Sequence, residues 1–109
     1  MTAGQVVQVV TTVDSRAAAD VLATVTVEAR AAACAQVDGP IRSTYRWQGA
    51  VESAEEWRIT FKTTAAAYPR LEAIIRDNHS YDVPEILCTD VTTGHPAYLA
   101  WVAGEVSAG

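Results

Sequence analysis

Two alternating stretches on either side of Gln48-Gly49 constrain the fold more than any other feature of the chain. Ile41, Ser43, Tyr45 and Trp47 alternate with Arg42, Thr44 and Arg46 before the turn. Trp57, Ile59, Phe61 and Thr63 alternate with Glu56, Arg58, Thr60 and Lys62 after it. A period of two sends successive side chains to opposite faces of a strand. Two such runs about a glycine-containing turn predict a long β-hairpin. The first run reaches back to Cys34, with Asp38-Gly39-Pro40 as a bend inside it.

The remaining segments supply what can pack on that hairpin. Gln5 to Thr12 carries Val6, Val7, Val9 and Val10, a β-branched run that reads as a buried strand. Asp14 is a good N-cap, and Ala18, Val21, Leu22, Val25, Ala29 and Ala32 recur at helical spacing, predicting a helix over Ser15–Ala33. Thr24-Val25-Thr26-Val27 opposes helix, but the alanines and the long period outweigh it. A second helix is expected over Thr64–Asn78, with Tyr68, Leu71, Ile74 and Ile75 as its apolar stripe and Pro69 in the first turn. Val83–Val91 is the last strand, with Pro84 at its entry. Pro96 opens a short final helix, whose buried face is expected to be Tyr98, Leu99, Trp101 and Val102.

The order β-α-β-β-α-β plus a C-terminal helix is the α+β, ferredoxin-like arrangement. The first and third strands are then central, and the second and fourth are edges. An edge strand bearing Tyr45 and Trp47 invites pairing with another chain, so an oligomer closed through sheet edges is expected. A length of 109 residues implies one domain over 1–109, with 1–4 and 107–109 as flexible ends. Folding at this size removes roughly 60–70% of the unfolded surface from water. Half the residues are hydrophobic but only 7% are aromatic, so the core is built from small side chains.

The net charge is −5, and the eight basic residues are scattered. No basic patch marks a nucleic-acid surface or an anionic membrane surface. No signal segment is visible at the N-terminus, and no apolar run approaches the roughly 18–20 residues of a membrane span. The reading is a cytoplasmic chain with reduced thiols. Cys34 and Cys88 fall on opposite predicted edge strands, too far apart for a bridge within one chain, and Cys34 reads as a small buried hydrophobe.

Polar and aromatic residues concentrate in His79–Ile86 and Pro96–Trp101. His79, Asp82 and Glu85 are the candidate metal ligands. His79 also reads as a helix-end histidine that bonds the last carbonyls, and the two acids as solvated or capping groups. Lys62, Tyr81, Glu85, Tyr98 and Trp101 are the candidate lining of a cleft; the aromatic residues suit subunit packing as well. Lys62, the single lysine, meets either an anionic ligand or a neighbouring subunit's acid. There is no phosphate-binding glycine loop and no Ser-His-Asp or Cys-His arrangement. An enzyme would have only the His79–Asp82 pair to work with, so a non-enzymatic binding protein is expected.

Six blocks along the chain resemble the CutA family of divalent-cation tolerance proteins. They are Thr11–Asp14, Glu28–Cys34, Tyr45–Gly49, Lys62–Thr64, His79–Ile86 and Pro96–Trp101. The resemblance implies a stable homotrimer of ferredoxin-like subunits, similar to the PII signalling proteins, with a link to copper and other divalent ions and no assigned reaction. Some members are implied to hold copper through a strand-end cysteine and two adjacent histidines. Those positions align with Val10, Asn78 and His79, so one donor of three is kept. Ser80 stands where a proline is common. The alternative is a structural or signalling trimer without a metal function of its own.

Overall fold

The computed structural model describes residues 5–107. The elements are β1 (Val6–Val13), α1 (Arg16–Glu28), β2 (Cys34–Trp47), β3 (Ala50–Thr64), α2 (Tyr68–Asp77), β4 (Ile86–Asp90) and α3 (Pro96–Glu105). They make one antiparallel sheet in the order β2-β3-β1-β4. This is the ferredoxin-like order inferred from the sequence, with β1 and β3 central and β2 and β4 at the edges.

The core lies between the sheet and the pair α1 and α2. Val7, Val9 and Val13 of β1 meet Ile59 and Phe61 of β3, Leu22 of α1, and Leu71 and Ile75 of α2. Each large side chain removed from water contributes about 1.5–3 kcal/mol. Alternate residues of the strands face the other way: Val10 lies opposite Thr60 and Leu87, and Gln8 opposite Lys62 and Thr89. On that second face α3 closes over one end, where Val102 packs on Val6 and Ala33. Leu87 stays exposed there.

The N-terminal cap of α1 is Ser15 rather than Asp14. Ser15 is extended, and its hydroxyl accepts the Ala18 amide hydrogen at 3.0 Å. The helix ends at Glu28, five residues before the expected Ala33. The Arg30 amide donates to Val27 O at 3.0 Å and the Ala31 amide to Thr26 O at 3.0 Å. With Arg30 at φ 59°, this is a Schellman stop. Ala31 and Ala32 are buried as part of the turn into β2. The buried face of α1 is Ala19, Leu22 and Thr26. Val21, assigned to that face from its spacing, points to solvent. Thr26 is tolerated inside because its hydroxyl donates to Leu22 O at 2.7 Å.

The hairpin is longer than the alternation indicated, because β3 begins at Ala50. It carries the molecule to 44 Å in its long dimension. The expected bend is a bulge between Asp38 and Ile41. Gly39 has φ 154°, and a Cβ there would lie 2.6 Å from Trp57 Cδ1, so the indole occupies the space of the missing side chain. Two other bounds move inward. Helix α2 starts at Tyr68 because β3 runs on to Thr64, and β4 covers only Ile86–Asp90. On α3 only Val102 is fully buried; Tyr98 and Trp101 are 42% and 44% exposed, where burial was expected. Residues 1–4 and 108–109 of the expected flexible ends lie outside the described residues. Ser107, at the edge of that range, donates its amide to Arg30 O at 2.8 Å.

Candidate functional site

The loop between α2 and β4 is fastened to the end of β1 by His79. Its Nε2 lies 2.9 Å from Thr12 O and 3.3 Å from Thr11 Oγ1, and its Nδ1 accepts the Tyr81 amide hydrogen at 3.1 Å. A carbonyl can only accept and an amide N–H can only donate, so the hydrogen sits on Nε2. The Tyr81 ring packs against the imidazole at a centroid distance of 4.9 Å. Its hydroxyl then donates to Glu56 Oε2 at 2.8 Å. Burial first, and then the bond to Glu56, pushes the Tyr81 phenol well above its ordinary range.

This loop forms one wall of a groove of about 690 Å³ on the sheet face away from α1 and α2. Tyr45, Trp47, Glu52 and Glu56 come from the hairpin, and Tyr81, Asp82 and Glu85 from the loop. Tyr45 and Trp47 are exposed, whereas Glu56 is buried. A volume of this size accommodates a small organic ligand. Four carboxylates line it and no base does.

The cleft residues read from the sequence divide into two sets. Tyr81 and Glu85 belong to this groove. Lys62, Tyr98 and Trp101 lie at the opposite end of the same sheet face. There Cys34 is paired in register with Lys62, and its Sγ is 3.7 Å from the Tyr98 hydroxyl. That contact, followed by burial, raises the Tyr98 phenol. The Trp101 ring lies 5.6 Å from the Tyr98 ring, and the Lys62 amine donates to Gln36 Oε1. Cys34 and Cys88 are free thiols.

The copper set implied by the family resemblance does not fit this chain. Val10 has no donor atom. The Asn78 amide nitrogen donates to Ile74 O at 2.9 Å, and both nitrogens of His79 are engaged within the fold. Among the described residues no three His, Cys, Asp or Glu side chains are grouped to hold a metal ion. Asp82 and Glu85 are exposed on the groove's rim but are not joined there by the imidazole. Sequence reading missed Glu56, which it placed only as a hairpin residue. No spacing pattern signals a contact between residues 25 apart, and the link is visible only once Tyr81 is seen above the groove.

Comparison with known proteins puts these features in a family. The sequence profile described as CutA1 divalent ion tolerance protein matches residues 7–105. The divalent-cation tolerance protein CutA of Thermus thermophilus is 38% identical over 94 residues, covering 86% of this chain and 91% of that protein. The chloroplastic CutA protein of Arabidopsis thaliana is 36% identical, and there the match spans only 50% of the longer relative. Among solved structures, CutA1 of T. thermophilus superposes with a TM-score of 0.92 at 35% identity, covering 94% of this chain and 99% of that one. CutA from Xylella fastidiosa gives 0.92 at 31% identity over 94% and 99% of the two chains. Match, identity and fold agree that this chain belongs to the CutA1 divalent ion tolerance family.

Proposed function

We propose that the chain works as a non-enzymatic homotrimer in divalent-cation tolerance. On this reading it holds a small ligand or a divalent cation, with copper among the candidates, in clefts completed between subunits. The observation that carries the reading is the division of the candidate residues. One end of the sheet face offers Tyr81, Glu85 and exposed hairpin aromatics; the other offers Lys62, Tyr98 and Trp101. The two sets do not meet within one chain. A heterologous contact, one end of a subunit against the opposite end of the next, unites them and closes as a ring. Strands β2 and β4 each have a free edge for such pairing. The cation part rests on relatives named for divalent-cation tolerance. Asp82 and Glu85 are the donors left free for it.

Sedimentation equilibrium combined with calorimetric titration of Cu(II) tests this. A trimer that binds at one saturable site per subunit, weakened by Glu85→Gln, agrees with the reading. A monomer, or a trimer silent to Cu(II) and to other divalent ions, defeats its cation part. The engagement of both His79 nitrogens favours a second reading, in which the motif residues serve assembly alone. Substituting His79 and Tyr98 separately distinguishes the two. Losses confined to trimer stability, with ligand binding unchanged, select assembly.

A further inference from the structure

Glu56 lines the acidic groove and has no ion-pair partner among the described residues. It is 8% exposed, and its Oε2 takes the Tyr81 hydroxyl. Among the described residues no donor meets Oε1 and the ion pairs, Arg30–Glu105 and Arg58–Asp38, do not include this carboxylate. Its second oxygen still reaches solvent, because no buried polar side-chain atom among the described residues lacks a partner, and a cation brought to it there would gain a charge-assisted bond. Glu52, Asp82 and Glu85 add further negative charge to the same groove.

Lys62 has the complementary deficit. It is the only lysine, it is partly buried, and its amine bonds the neutral amide of Gln36 with no acid beside it. Both residues occupy even positions of β3, so they share the sheet face turned away from α1 and α2. Six residues of extended strand separate them by about 20 Å, more than the two side chains can span. They cannot meet within one subunit.

Resting on the head-to-tail assembly proposed above, we propose that the groove of each subunit receives the Lys62 ammonium of the next, which pairs with Glu56. The occupant is a second copy of this chain, chosen by charge: an acid-lined groove without a base faces a surface whose lysine has no acid. Tyr98 and Trp101 accompany Lys62 and become the apolar wall of the completed cleft. Two groups that are unpaired in one chain are both satisfied by a single contact.

A double-mutant cycle on the full chain tests the pair, using Glu56→Gln, Lys62→Gln and the double substitution. Assembly is followed by sedimentation equilibrium, and a dilution series extends the range. Each single change is expected to weaken assembly by about tenfold or more per interface, and the double by no more than the worse single, as for close charge pairs across an interface. Because about 20 Å of strand separates the two positions in one chain, such coupling reports a contact between subunits. Full additivity, or an unchanged trimer in both single variants, overturns the pair and leaves the trimer standing. A monomeric wild type overturns both. Lys62→Glu, at a surface position, gives an independent reading. It sets acid against Glu56, so it should weaken assembly beyond Lys62→Gln, and an equal effect of the two counts against the pair.

Discussion

Replacing His79 with phenylalanine separates its hydrogen bonds from its bulk. The ring contact with Tyr81 at 4.9 Å can persist, but the Thr12 carbonyl loses its donor and the Tyr81 amide loses its acceptor. Thr12 is only 7% exposed, and it lies one residue beyond Thr11, the last β1 position paired to β4. An acceptor stranded there costs about 1–3 kcal/mol, and the more solvated Tyr81 amide about 0.5–1.5 kcal/mol. The loss in the phenylalanine variant is therefore about 1.5–4.5 kcal/mol. Alanine also forfeits the ring contact, worth about 0.5–1.5 kcal/mol, and should fall further. Guanidinium unfolding at one fixed protein concentration, with chelator throughout, measures both variants, since the proposed assembly would make stability depend on concentration. Hydrogen exchange of the Ser80–Val83 amides should quicken in parallel. A phenylalanine variant within about 0.5 kcal/mol of wild type, the range of an ordinary surface change, would refute the claim that these bonds hold the loop.

Three further outcomes follow from local geometry. Arg30 sits at φ 59°, a left-handed conformation that disfavours any residue with a Cβ, so Arg30→Gly should be more stable than Arg30→Ala by about 1 kcal/mol. The alanine variant loses only an exposed 4.0 Å ion pair and an exposed bond to Gly104 O, at most about 1 kcal/mol; thermal denaturation of both variants checks the order. Gly39→Ala drives a methyl to 2.6 Å from the Trp57 ring, which should cost about 1–3 kcal/mol and shift the Trp57 fluorescence. Burial, followed by the bond to Glu72, pushes the Tyr68 phenol up to about 12. Above its ordinary value near 10 the unfolded chain releases this proton and the folded one keeps it, so stability is whole below pH 10 and falls as pH rises toward 12. Tyr68→Phe should flatten that part of the alkaline unfolding curve and remove one late step from the ultraviolet phenol titration.

Most of the fold was legible because it is written in periodicities. Alternation in 41–47 and 57–63 set the hairpin, and Leu71 with Ile75 set the inward stripe of α2. What failed was decided by contacts that periodicity does not record. Helical spacing alone placed Val21 inside, whereas the buried position on that turn is Leu22, with Ala19 and Thr26 above and below. The alanines after Glu28 read as more helix. Their burial instead drives the Schellman stop, because Ala31 and Ala32 are needed under the turn into β2. Helix propensity is a weak prior, and tertiary packing overrode it here.

The site was less legible than the fold, for a different physical reason. Residue type records that Tyr98 and Trp101 are amphipathic; it does not record which surface they are meant to face. Their spacing put them on the buried face of the last helix and their residue type in a cleft or subunit contact; the fold leaves both more than two-fifths exposed. Glu56 shows the converse. The alternating pattern placed it only as a hairpin residue, whereas the fold buries it under Tyr81 with no ion-pair partner among the described residues. Exposed aromatics stand at one end of a sheet face, and a largely buried acid without an ion-pair partner among the described residues stands at the other. Evenly spread mismatches would have been ordinary surface noise. Sorted to opposite ends of one face, with opposite requirements, they are what the proposed contact between two copies would satisfy, and one chain's periodicity would hold only half of such a surface.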